Sequence, residues 1–271
     1  MIGAVAAIGS LAAVGASLRW NWWRPKVSSG IPTLMYHKFG DHPKGSQLAK
    51  LWVTTSDFRR QMEYLKSHGF TTLTFTELRD IEHGRAPRPE KPCLVTVDDG
   101  YENNYTIAYP IMKELGLKIN IFLVYETIDS YNSWHNPESE PWIPMMNWKQ
   151  VREMQDSGVV EFGSHTMRHR NLPTIALDDV RWELEESKKR IEEKLGRELV
   201  GFAYPYGAGA YHPEVRKLAR AAGYHYDFGI KQGITPWPWK PEHGPIKRLF
   251  IRGDDTMLDF HLQMTRGKAY F

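Results

Sequence analysis

Apolar positions recur along the chain in two alternating patterns: short β-branched runs, and longer stretches with the three-to-four-residue spacing of an amphipathic helix. The short runs predict strands over 32–36, 71–75, 93–97, 119–124, 159–162, 200–204, 224–229 and 246–251. The helical spacing falls between them, over 56–68, 76–82, 103–115, 147–157, 178–195, 212–222 and 256–265. Strands that alternate with helices imply parallel pairing with the helices packed outside. Seven or eight such units predict a single-domain α/β fold, a distorted or incomplete (β/α) barrel, whose chemistry would sit at the C-terminal ends of the strands.

Residues 1–18 break this pattern, with no charged side chain and a composition rich in Ala, Gly, Val, Ile and Leu. They predict a hydrophobic signal or membrane anchor, slightly short of the roughly 20 residues of a full span. Arg19, Trp20, Trp22, Trp23, Arg24 and Lys26 then form an aromatic and basic collar within an interfacial and linker segment, 19–30. The globular domain is expected over 31–271. At 271 residues and 41% hydrophobic, the chain can bury a substantial core, which excludes a disordered protein. Thirty-five Lys and Arg against 32 Asp and Glu are too balanced for a nucleic-acid binder. The lone Cys93 precludes an internal disulfide and leaves the compartment open.

Three stretches carry candidate chemistry. In LVTVDDGYENNY, 94–105, a buried strand ends in Asp98, Asp99 and Gly100, so that both carboxylates can reach one cleft where the strand gives way to a turn. The plainer reading of that stretch alone is a turn and helix cap. In FGSHTMRHRNL, 162–172, His165 and His169 are four apart, so one helical turn would bring both imidazoles to one side. A surface histidine and a hydrogen-bonded core histidine would be the ordinary alternative. With Asp99 they make two nitrogens and a carboxylate with open positions left, the ligand set of a catalytic metal site. In GFAYPYGAG, 201–209, a strand ends at Pro205, and the backbone N–H of Tyr206 beyond it can be aimed at an oxyanion.

TVDDGY, SHTMRH and AYPYG, in this order, resemble the three motifs of the polysaccharide deacetylase family, also called NodB-like or carbohydrate esterase family 4. TLMYHKF at 33–39 and IKRLFIRGDDTMLDF at 246–260 are similar to the intercellular-adhesion subgroup, which acts on poly-β-1,6-N-acetylglucosamine. The resemblance implies metal-dependent N-deacetylation with release of acetate. One divalent ion of the Zn, Co or Ni type would be held by Asp99, His165 and His169. Asp98 would act as general base, His37 as general acid and the Tyr206 N–H as oxyanion donor. The arginine that opens the third motif in more widespread members is replaced here by Ala203 or its neighbours, and Arg248 is the candidate for the missing cation. A deacetylase of peptidoglycan or chitin-like β-1,4 glycans is the alternative, and an inactive glycan-binding protein a further one. The resemblance also implies an outer-face, membrane-associated or secreted enzyme, expected to be a monomer. The basic residues after the apolar segment would by themselves favour a cytoplasmic domain.

Tyr204, Pro205, Trp237 and Trp239 are the candidate substrate-binding residues, with Trp134, Trp142 and Trp148 as further flat faces for sugar stacking. Trp142, Ile143, Met145 and Met146 lie in the Pro-interrupted segment 141–148. They are expected either to enter a bilayer interface or to fold back as a lid over the barrel.

Overall fold

The computed structural model describes residues 15, 17, 20, 22–27 and 29–269. Its strands, in chain order, are β1 (Thr33–Tyr36), β2 (Lys38–Phe39), β3 (Trp52–Val53), β4 (Thr71–Thr72), β5 (Pro92–Val97), β6 (Ile119–Leu123), β7 (Val160–Ser164), β8 (Gly201–Ala203), β9 (Tyr226–Gln232) and β10 (Ile246–Phe250). The α-helices of residues 29–269 are α1 (Thr55–Ser67), α2 (Phe75–Glu82), α3 (Tyr109–Leu115), α4 (Trp148–Asp156), α5 (Leu177–Leu195), α6 (Pro213–Ala221) and α7 (Met257–Arg266). Parallel neighbours run β1-β10-β9-β8-β7-β6-β5, and β5 pairs back onto β1 through Leu34 opposite Val95. The result is a closed seven-stranded barrel. β4 is an eighth strand that takes only the entry of β5, Thr72 opposite Cys93, below the point where β1 begins. β2 and β3 form a separate parallel pair.

Alternation along each strand decides which residues face in. Cys93, Val95 and Val97 on β5, and Ile119, Ile121 and Leu123 on β6, join the outer core with Phe58 and Met62 of α1. The intervening positions, Leu94 and Phe122, belong to a second, inner cluster with Phe75 and Phe228. The rings of Phe75, Phe122 and Phe228 meet at 5.1–5.3 Å between centroids. Room for them comes from Gly163, where an added Cβ would lie 2.6 Å from Phe122. Phe75 is the first residue of α2, and a reciprocal cap between Thr74 and Glu77 fixes it there. Asn120 seals the same point, accepting from the Phe75 N–H and donating to Leu73 O. One end of the barrel is therefore closed by aromatic packing, and the other end is left for polar groups.

Most predicted elements are present, with local departures. The strand over 71–75 shrinks to two residues because Thr74 is used as a helix cap. β9 runs on to Gln232. The helix over 103–115 opens with a wide turn at Asn104–Ala108. In the 141–148 segment, Met145 and Met146 are buried, bonded through their N–H groups to Ser130 O and Gly100 O. This corrects the four-residue apolar wedge, because backbone pairing to the barrel mouth carries both methionines into the core. Trp142 remains 46% exposed, its Nε1 donating to His135 O, and Ile143 is half-buried. Almost all of the apolar 1–18 segment lies outside the described residues. Trp20 of the collar donates to Asp259 on α7, and Trp22 and Trp23 are exposed. Among the described residues no helix is long and apolar enough to cross a membrane.

Candidate active site

The inward parity that places Phe122 also places the polar groups at the open end. His37, Asp98 and His165 each follow the last residue of β1, β5 and β7, and each continues the inward-facing series of its strand. Arg248 lies inside the barrel from β10, where the register against β9 shifts between Ile246 and Arg248. By the same parity Asp99 would point outward. Its left-handed backbone, φ 77°, turns it in beside Asp98. His169 also has a left-handed backbone, φ 56°, as has Thr166 before it, φ 73°. His165 and His169 therefore converge through a tight loop, and the helical turn expected for their spacing is absent. Glu183 of α5 holds that loop, its buried carboxylate accepting from the N–H groups of Met167 and Arg168 at 2.9 and 3.0 Å.

The Nε2 atoms of His165 and His169 lie 3.4 and 3.3 Å from Asp99 Oδ1. That oxygen is buried and has no hydrogen-bond partner among the described residues. His165 Nδ1 donates to Ala203 O at 2.7 Å, which leaves its Nε2 lone pair facing Asp99. Burial lowers the His165 pKa to about 4, so the ring is neutral and able to ligate. An orphaned carboxylate oxygen facing two imidazoles is the donor set of a divalent metal, and these three residues fit one.

Asp98 is buried and held by two parallel bonds from Arg248, Nη1 to Oδ1 at 2.6 Å and Nη2 to Oδ2 at 2.8 Å, the paired geometry that makes such contacts strong. Burial alone would raise its pKa. The Arg248 charge, with smaller contributions from His165 and His37, outweighs burial and holds Asp98 below the usual carboxylate range. Arg248 is itself fully buried, with Nε on Gly229 O and Nη1 on Thr96 Oγ1. His37 Nε2 lies 3.7 Å from Asp98 Oδ2, and burial lowers its pKa while Asp98 draws it back up. Tyr206, in a left-handed conformation just past Pro205, sets its ring 4.5 Å from His169.

These groups open into a cleft of about 630 Å³, whose walls include Trp134, His135, Glu140, Ile230 and Phe250. Trp134 stacks on His169 at 4.5 Å. Other candidates fall elsewhere. Trp239 packs on Tyr226 in the closed-end cluster, with Trp237 against the same cluster, so neither reaches the cleft. Both follow β9 and are drawn into the apolar packing beneath the barrel. Trp148 packs on Tyr125 and does not line the cleft. Tyr204 borders the cleft, but its ring packs on Phe202 in the outer core and its hydroxyl is bound to Asp227, and Pro205 is buried outside the cleft lining. Sequence reasoning missed Glu183 and the buried pair Lys38–Glu140, 2.7 Å apart, which fastens the segment before Pro141 to β2. Glu183 had a legible signal, an acid on the otherwise apolar stripe of Val180, Leu184 and Ile191.

The polysaccharide deacetylase family model matches residues 85–226, a little over half of the chain. The poly-β-1,6-N-acetyl-D-glucosamine N-deacetylase of Staphylococcus aureus strain MRSA252 is 26% identical over 235 residues, covering 82% of this chain and 74% of that one. The Escherichia coli K12 protein of the same name is 26% identical over 280 residues, covering 89% of this chain. This chain spans only 39% of that relative's length. The crystal structure of a polysaccharide deacetylase from Bacillus cereus superposes with a TM-score of 0.74 at 26% identity, covering 88% of this chain and 69% of the other. A parallel barrel with an Asp-His-His set and a second aspartate at its mouth, together with these matches, makes the chain a member of the polysaccharide deacetylase family.

Proposed function

We propose that this chain removes N-acetyl groups from a poly-β-1,6-N-acetylglucosamine polymer. The observation that carries the reading is the linked series His37, Asp98 and Arg248 facing Asp99, His165 and His169 across one cleft. Relatives named for that substrate support the β-1,6 linkage. A divalent ion of the Zn, Co or Ni type, held by Asp99, His165 and His169, would acidify a water and polarise the acetyl carbonyl. Asp98, kept ionised by Arg248, takes the proton as the water oxygen attacks the acetyl carbon. The Tyr206 N–H stabilises the oxyanion that forms. The C–N bond then breaks, His37 supplies a proton to the departing amine, and acetate leaves. For this step His37 must carry a proton that burial disfavours, and the carboxylates of Asp98 and Asp99 favour that proton in the resting protein, before the attack neutralises Asp98.

The test is acetate release from β-1,6 and β-1,4 N-acetylglucosamine oligomers side by side, with and without chelator. Chelator-sensitive release that favours the β-1,6 oligomer is expected. Preference for the β-1,4 chain would move the substrate to peptidoglycan or chitin-like glycans, and no release from either would leave a binding protein. The same reading sets the domain on the outer face of the membrane, where such a polymer emerges. Protease shaving of intact cells tests it.

A further inference from the structure

At the closed end of the barrel, Glu82 and His83 at the end of α2 meet His225 just ahead of β9. One donor atom from each lies within 4.8 Å of the other two. We propose that these three side chains hold a second divalent transition-metal ion, of the class that takes imidazole and carboxylate ligands, distinct from the set at the mouth. The carboxylate is already positioned. Glu82 Oε2 receives the Tyr226 hydroxyl and His225 Nε2, each at 2.7 Å. Tyr226 is fully buried, and a fixed donor behind a carboxylate is the support that metal ligands commonly carry. The rings of His83 and His225 meet edge to face at 5.6 Å, and both side chains are open enough to solvent for an ion to enter.

The obstacle is Arg85, whose Nη1 donates to His83 Nδ1 at 2.7 Å. Its Nε and Nη2 are also on Asp80 Oδ1 at 2.9 and 2.7 Å, so yielding His83 leaves the guanidinium paired. The incoming ion takes the place of the proton between His225 Nε2 and Glu82, and a neutral ring keeps that proton by tautomeric exchange to Nδ1 through solvent, so that it binds as an imidazole. Tetrahedral ligands at about 2.0–2.1 Å stand roughly 3.3 Å apart, so the pair opens by about half an ångström through side-chain rotation. The ion then ties α2 to β9 across 143 residues of chain. Because α2 begins with Phe75, this fastens the aromatic plug that lies beneath the polar mouth.

Chelator-stripped full chain titrated with Co²⁺, followed by visible absorption and calorimetry, tests the proposal. The wild type should take up two equivalents. His83→Ala and Glu82→Gln should each weaken one of them by at least about tenfold. His169→Ala should keep one equivalent that disappears in the His83→Ala/His169→Ala double variant. Excess Zn²⁺ should raise the melting temperature of His169→Ala and leave that of the double variant unchanged. His83 is exposed, so its loss should not disturb folding, and circular dichroism of each variant checks this. One equivalent or none in the wild type, or two that survive both His83→Ala and Glu82→Gln, would overturn the proposal. Neither outcome depends on what glycan the mouth acts upon.

Discussion

At the closed end of the barrel Phe75, Phe122 and Phe228 pack ring against ring, and Trp239 covers them on Tyr226 with its Nε1 satisfied by Gly244 O. Towards the other end, just past β5 and β7 and within β10, the inward positions are Asp98, His165 and Arg248. Of the five non-glycine residues with left-handed backbone among the described residues, Asp99, Thr166, His169 and Tyr206 are all at the mouth. Each such conformation costs on the order of 1–3 kcal/mol and persists only where its surroundings enforce it. Here Glu183 and the paired strands do so. One scaffold thus separates stability from reactivity along its own axis.

Substitutions at the two ends should therefore fail in different ways. The largest effect is expected for Asp98→Asn, with kcat for acetate release falling by about 10²–10⁴-fold while metal content holds. The variant should also lose about 3–5 kcal/mol in urea unfolding, because Arg248 stays buried without its counter-ion. The double variant Asp98→Asn/Arg248→Met should recover part of that stability and none of the turnover. If it recovered turnover, Asp98 would not be the base. At the other end, Trp239→Ala should cost about 3–5 kcal/mol and leave kcat per folded molecule within about twofold. A collapse of kcat there would erase the distinction between the two ends.

A pH series sharpens the comparison with a smaller signal. In metal-stripped protein the His165 pKa lies at about 4, below the ordinary value of 6.5. The unfolded chain thus takes up a proton that the folded one refuses. The His165 contribution is fully present above pH 6.5 and is lost as pH falls towards 4, with a slope of at most about 1.4 kcal/mol per pH unit. His165→Gln should flatten that slope in thermal melts, and an unchanged slope would assign it to other groups. The smallest effect is expected at the rim. The Trp142 side chain is nearly half exposed. Trp142→Ser should therefore shift stability by no more than about 0.5 kcal/mol. A larger loss would mean that its bond to His135 O holds the rim in place.

How much of this can be read from the sequence follows the range of the interactions. β5 and β6 are legible because parallel strands covered on both faces leave continuous apolar runs. Asp98, Asp99, His165 and His169 are legible as motifs, and Arg248 as the substitute for an absent arginine. The loop that joins the two histidines is not. Its left-handed backbone at Thr166 and His169 is imposed by Glu183, whose bonds reach back 16 and 15 residues, and non-glycine residues give no local sign of it. Trp237 and Trp239 mislead for the complementary reason. Nothing local tells an aromatic residue which end of a barrel it will cover. Met145 and Met146 read as an exposed apolar loop because their partners, Ser130 and Gly100, are supplied by other segments.

The pairing of Asp98 with Arg248 spans 150 residues, and the seam between β1 and β10 joins the first barrel strand to the last. A chain emerging from the ribosome must therefore carry Asp98 without its counter-ion until a further 150 residues have been made. Vectorial synthesis can assemble β5 to β8 and their helices early, but the barrel can only be zipped shut, and its buried acid neutralised, in a final long-range step. The centre is thus completed only when β10 has been made, and a polypeptide that stalls before β10 has an open barrel and an uncompensated Asp98.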